Sequence, residues 1–89
     1  MTEKHTIIGV HITDRLKEAV EVQKVFTAYG QHIKTRLGLH EIEHGRSAPN
    51  GIVLLEIVGP ESVSQELMKK LNAIDGVECK SMVFGHPAP

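Results

Sequence analysis

The chain has 89 residues, of which 40% are hydrophobic and 24% are charged. This length suits one domain with a single core and is too short for two domains. The formal net charge is −1, and the only aromatic residues are one tyrosine and two phenylalanines. These values argue against a nucleic-acid-binding protein, which would need a basic surface or a set of stacking rings.

A cytoplasmic location is expected from three features of the sequence. The single cysteine, Cys79, excludes an internal disulfide and is typical of a protein in a reducing compartment. The longest apolar run, residues 52–58, is interrupted by Glu56 and is far too short to span a membrane. The N-terminal residues are polar and lack the apolar segment of a signal peptide. We expect one domain over residues 1–89, with its core in about 5–84 and a tail in 85–89.

The first elements along the chain are a strand and a helix. Residues 6–12 are short, β-branched and apolar, which predicts a strand. Thr13 or Asp14 can then cap a helix, because a short polar side chain accepts hydrogen bonds from the first free N–H groups. An apolar stripe with helical spacing follows. Its members are Leu16, Ala19, Val22, Phe26 and Tyr29.

A second strand is predicted from residue 33, because two rows of residues alternate there. One row contains Ile33, Thr35, Leu37 and Leu39, and the other contains Lys34, Arg36, Gly38 and His40. Gly38 is unexpected inside a strand, where a glycine costs stability unless a close neighbour needs the space. Gly38 and the nearby Arg36 therefore indicate a site or an interface.

The second half of the chain repeats the alternation of strand and helix. Residues 43–51 predict a polar loop, since they contain two glycines, a proline and an asparagine. Residues 52–58 predict a third strand, and Pro60 suits the first turn of a second helix. The apolar stripe of that helix consists of Val63, Leu67, Leu71 and Ile74. A last strand is predicted over residues 77–84, with Cys79 packed in the core.

The order β-α-β-β-α-β predicts an α+β fold of the ferredoxin-like class. Its four-stranded antiparallel sheet would have the strand order 4-1-3-2, with both helices on one face. We call the face that the helices leave uncovered the open face. It should contain Ile7, Gly9 and His11 of the first strand and Ile52, Leu54, Glu56 and Val58 of the third.

An apolar open face predicts that another subunit covers it. Val53, Leu55 and Ile57 would face the helices, so the third strand carries apolar side chains on both of its sides. A large exposed apolar patch is unfavourable on a monomer, which indicates a dimer or a tetramer. The alternative is a small number of tolerated aliphatic residues on the surface.

The predicted pleat places five candidate ligand-binding or interface residues on the open face. They are His11, Arg36, Gly38, His40 and Glu56. Arg36 would bind a carboxylate or a phosphate through paired hydrogen bonds, and His11 would bind a metal together with a group from a second subunit. The alternative is an interface ion pair between Arg36 and Glu56, with surface histidines around it.

Residues 40–44, His-Glu-Ile-Glu-His, match the H-E-x-x-H pattern of zinc hydrolases. In those enzymes both histidines bind zinc from one face of a helix. Here the residues continue a strand, in which His40 and His44 would be about 13 Å apart. A small zinc hydrolase therefore remains a remote alternative, and we predict no catalytic residue, no metal site and no cofactor.

Two patterns of the chain resemble one small bacterial family. They are Tyr29-Gly30-x-x-Ile33-x-x-Arg36-x-Gly38 and Leu71-x-x-Ile74-x-Gly76-Val77, together with Gly9 in the first strand. The family is the ACT-like iron-only hydrogenase system regulators, which is related in fold to the ligand-binding C-terminal domain of the nickel-responsive repressor. The resemblance covers about residues 5–84.

The resemblance implies a non-catalytic regulatory or sensor module that forms dimers or higher oligomers. Any effect on transcription would then depend on a partner protein, since no DNA-binding segment precedes the first strand. ACT domains that bind amino acids carry a glycine between the first strand and the first helix, where this chain has Thr13, Asp14 and Arg15. A structural or interaction protein without a ligand is the alternative from a different class.

Overall fold

The computed structural model has the β-α-β-β-α-β order that the sequence predicts. It describes the backbone of residues 2–43 and 46–87 and the side chains of residues 4–14, 17–38 and 51–85. The elements are β1 (Thr2–Ile12), α1 (Arg15–Ala28), β2 (Ile33–Glu43), β3 (Arg46–Ile57), α2 (Glu61–Asn72) and β4 (Val77–Pro87). A short 3-10 turn, Gly30–His32, connects α1 to β2.

The strands form one antiparallel sheet in the order β2-β3-β1-β4, which is the predicted order. The register of β1 is continuous with both of its neighbours, and Ile8 lies opposite Leu55 in β3 and Ser81 in β4. Residues directly opposite each other in antiparallel strands project to the same face. The register therefore assigns each residue of the sheet to the helix face or to the open face.

The core lies between the helix face of the sheet and the two helices. Its most deeply buried large side chains are Ile8, Val10, Val22, Leu55, Leu67 and Leu71. All six come from the alternating or helical patterns of the sequence, and burial of each such side chain stabilises the fold by about 1.5–3 kcal/mol. Cys79 is buried, as predicted. Within the described residues, neither helix is long and apolar enough to cross a membrane.

The apolar stripe predicted for α1 differs from the structure at Ala19, and the side chain of Leu16 lies outside the described residues. Ala19 is exposed, whereas Glu18 is buried with only 6% of its surface exposed. The Asp14 N–H group donates to Glu18 Oε1 at 3.4 Å, and Asp14 Oδ1 accepts the Lys17 N–H group at 3.4 Å. Asp14 is therefore the predicted cap of the helix. The buried Glu18 carboxylate packs against Gly76, in the turn before β4.

The predicted polar loop at residues 43–51 is wrong, because the strands continue into it. β2 runs to Glu43, which lies opposite Arg46 at the start of β3. The pairing of β1 with β3 stops at Gly51, and beyond it Arg46 and Ser47 pair with β2. The register of β2 with β3 shifts between these two stretches, so residues 48–50 lie in an irregular part of the ladder. Pro49 falls in this irregular part, where its missing N–H group is tolerated. Residues 44–45, between β2 and β3, lie outside the described residues.

The strands β1 and β4 are also longer than predicted. β1 starts at Thr2, which lies opposite Pro87 at the end of β4. Residues 85–87, predicted as a tail, are therefore part of the sheet.

A β-bulge interrupts the start of β2. Ile33 lies opposite Ile57, but Thr35 lies opposite Glu56, so β2 contains one residue more than β3 across this step. Lys34 is the additional residue. Because side chains alternate with a period of two, the bulge exchanges the faces of the residues that follow it in β2, from Thr35 to Gly38.

Candidate functional site

His11 and Glu56 lie on the open face, as the sequence predicts. His11 is opposite Ile52 in β3, and Glu56 is opposite Ile7 in β1. All four side chains therefore project away from the helices, which settles the placement of two of the five candidate residues.

Arg36 and Gly38 lie on the helix face, and their predicted placement on the open face is wrong. Arg36 is opposite Leu55, which is buried in the core, and Gly38 is opposite Val53, which packs against the core. The bulge at the start of β2 is the physical reason, since it shifts the alternation by one residue. The structure thus separates this pair from His11 on the other side of the sheet.

The Arg36 guanidinium packs on α1. Its carbon Cζ lies 4.8 Å from the centroid of the Phe26 ring, and Nη1 donates a hydrogen bond to Gln23 Oε1 at 3.2 Å. A cation–π contact at an exposed site stabilises by about 0.5–1 kcal/mol. The alternative ion pair with Glu56 does not form within the chain, because the two side chains lie on opposite faces.

Gly38 has no close neighbour that would explain the missing side chain. A Cβ atom built at this position would meet no atom within 4 Å. Within the described part of the chain, no nearby backbone therefore requires a glycine at this position.

His40 falls in β2, opposite Gly51, and its side chain lies outside the described residues. Residues 40–43 have the extended backbone that the sequence analysis assumed. His44 also lies outside the described residues. Among the residues that the structure describes, no three His, Cys, Asp or Glu side chains are grouped to hold a metal ion.

Glu56 anchors a small polar cluster on the open face. Its Oε2 atom lies 3.3 Å from His5 Nδ1, and its Oε1 atom accepts a hydrogen bond from Thr35 Oγ1 at 3.5 Å. Sequence reasoning missed His5 because it placed the start of β1 four residues too late. It missed Thr35 because the bulge turns that residue from the helix face to the open face.

The rest of the open face carries large exposed apolar side chains. Leu37 is 53% exposed, Met82 is 54% exposed and Phe84 is 52% exposed. Leu37 lies opposite Leu54, and Met82 lies opposite Ile7, so apolar residues from all four strands share this face. The contributions of β1 and β3 follow from the alternation within each strand. The contributions of β2 and β4 depend on strand pairing.

Comparison with known proteins supports the fold, but it does not show which family the chain belongs to. No protein-family model matches the chain, and no curated protein matches it. Among solved structures, it is similar to the uncharacterized protein TM1266 from Thermotoga maritima. The TM-score is 0.78 at 24% sequence identity, over 92% of this chain and 99% of that chain.

The chain is also similar to CPII, a nitrogen regulatory PII-like protein from Thiomonas intermedia K12. For the structure of CPII bound to ADP, AMP and bicarbonate, the TM-score is 0.56 at 14% identity, over 99% of this chain and 100% of that chain. For apo CPII the TM-score is 0.56 at 13% identity, with 98% of each chain covered. At these identities the comparisons show a shared ferredoxin-like fold.

Proposed function

We propose that the chain is a non-catalytic regulatory module that associates with further copies of itself through the open face of its sheet. The observation that supports this proposal is the exposed apolar surface on Leu37, Met82 and Phe84, which continues across Ile7 and Leu54. A contiguous apolar patch on a sheet typically marks an interaction surface. The regulatory role is what the resemblance to the ACT-like hydrogenase-system regulators implies.

The polar residues of the open face fit an interface between copies. Glu56 keeps partners for both carboxylate oxygens, in His5 and Thr35, which lowers the cost of covering its charge. We assign His11 and Glu56 to this interface, where a ligand would meet groups from both copies. If Arg36, Gly38 or His40 also contacts a ligand, that contact would lie on the edge strand β2. The proposed location is the cytosol, since Cys79 is a buried free thiol.

Light scattering coupled to size-exclusion chromatography tests the self-association. The wild-type chain, with a monomer mass of 9.8 kDa, should elute at a multiple of that mass at micromolar concentration. The double variant Leu37→Glu/Met82→Glu places two charges on the open face and should elute as a monomer, because covering unpaired charges is strongly unfavourable.

Val20→Glu is the matched control for this experiment. Val20 is an exposed aliphatic residue on α1, with 65% of its surface exposed, and it lies outside the sheet. This variant should keep the wild-type mass. A monomeric wild type, or equal masses for the wild type and the open-face variant, would refute the proposal.

A further inference from the structure

A notch lies at the end of the sheet where β3 leaves it. The pairing of β1 with β3 begins at Thr6, opposite Ile57, whereas β1 itself begins four residues earlier and pairs there with β4. β3 ends at Ile57, and the chain turns through Val58 and Gly59 toward α2. The space that this turn leaves between β1 and the start of β2 is a cavity of about 320 Å³.

Basic side chains from two strands line the notch. β1 contributes Lys4 and His5, and β2 contributes Lys34. Residues 57–59 complete the lining of the notch, and Glu56 lies beside His5. Lys34 is the additional residue of the β2 bulge, so the bulge brings this lysine to the notch.

The two lysines of the notch are weakly held by the carboxylates around them. Both Glu56 oxygens already have hydrogen-bond partners. Lys4 forms an ion pair with Glu61 at 3.7 Å, but both side chains are more than half exposed and such pairs are weak. Within the described part of the chain, Lys34 has no ion pair. The weak Lys4–Glu61 pair and the absence, among the described residues, of an ion pair at Lys34 therefore leave both ammonium groups able to turn to an anion in the notch.

We propose that the notch binds the phosphate group of a small molecule, with Lys4 and Lys34 as its charged ligands. A lysine acts on phosphate as a compact point charge, and two lysines on different strands match a dianion.

The size of the notch limits the ligand. A volume of about 320 Å³ is at the lower end of the range for small-molecule pockets. It accommodates a phosphate ester with a small organic part. This ligand class adds to the regulatory role proposed above and rests on that role for its biological meaning, but binding in the notch does not require self-association.

A ¹H–¹⁵N NMR titration with inorganic phosphate tests the inference, at fixed pH and with chloride at matched ionic strength as the reference. Phosphate should shift the amide signals of residues 4–5, 34 and 57–59 selectively. Lys34→Gln should weaken phosphate binding about tenfold, because it removes a charge-assisted hydrogen bond. Lys34→Arg keeps the charge and should stay within about threefold of the wild type.

Lys69→Gln is the control, since Lys69 is an exposed lysine in the last turn of α2. It should bind phosphate like the wild type. Shifts spread over the whole surface, or equal weakening by Lys34→Gln and Lys69→Gln, would overturn the inference. Succinate binding as tightly as phosphate would overturn the assignment to phosphate. The same titration on Leu37→Glu/Met82→Glu should give the wild-type affinity, which separates this result from the outcome of the self-association test.

Discussion

Replacement of Gly76 by alanine tests how the turn before β4 is held against α1. Gly76 has a φ of 84°, in the left-handed region that residues with a Cβ atom avoid at a cost of about 1–2 kcal/mol. A Cβ atom there would also collide with the carboxylate of Glu18 and come within 2.9 Å of its Cδ atom. Glu18 is buried, so its side chain has little room to move away.

The expected loss of stability follows from the backbone strain at Gly76 and the collision with Glu18. Displacement of Glu18 breaks its hydrogen bond from the Asp14 N–H group, which contributes about 0.5–1.5 kcal/mol. Alanine offsets about 0.4–1 kcal/mol of this loss of stability, because it has less conformational freedom than glycine in the unfolded chain. We therefore expect Gly76→Ala to lower the free energy of unfolding by about 2 kcal/mol. With a urea m-value near 1 kcal/mol/M for so small a protein, the midpoint should fall by about 2 M.

A double-mutant cycle, followed by circular dichroism in urea, separates the two terms. In a Glu18→Ala background the collision is absent, so Gly76→Ala should cost about 1 kcal/mol from backbone strain alone. Gly38→Ala is the matched control, because a Cβ atom at Gly38 meets no atom within 4 Å, and it should raise stability by up to about 1 kcal/mol. A loss below about 0.5 kcal/mol for Gly76→Ala would refute the reasoning. Equal losses in the two backgrounds would show that Glu18 is not the obstacle.

Two further predictions concern Arg36 and Cys79. Arg36→Ala should cost about 1 kcal/mol in urea by losing its contacts with Phe26 and Gln23, and should leave the mass of the assembly unchanged. A change in mass would contradict the helix-face position of Arg36. Burial raises the pKa of the Cys79 thiol above its ordinary value of 9.0, so the unfolded chain releases this proton first as pH rises. Stability should therefore fall above about pH 9, and fall less in Cys79→Ala. Equal losses between pH 8 and 10 would exclude Cys79 as the cause.

The open face shows how strand pairing can assemble a surface that no single segment displays. Met82 and Phe84 alternate with Ser81 and Val83 in β4, a pattern without a clear apolar row. Only the register with β1 shows that Met82 is beside Ile7. The same register brings Glu78 opposite His11 and so places polar groups at the other end of the face.

The sequence alone determined the fold class, the strand order and most of the core. Helical spacing identified Val22 and Phe26 in α1 and Leu67 and Leu71 in α2, because only one face of each helix can be buried. The apolar character of β3 on both sides likewise indicated an apolar open face. These features repeat over many residues, and repetition makes a local pattern dependable.

Only the tertiary structure decided which candidate residues share a face. The bulge between Ile33 and Thr35 contains no glycine or proline that would mark it in the sequence. It depends on how β2 pairs with β3. One added residue turned Arg36 toward Phe26 and Leu37 toward the open face. Because side-chain direction in a strand has a period of two, a shift of one residue reverses every later assignment, and that shift is set by the neighbouring strand.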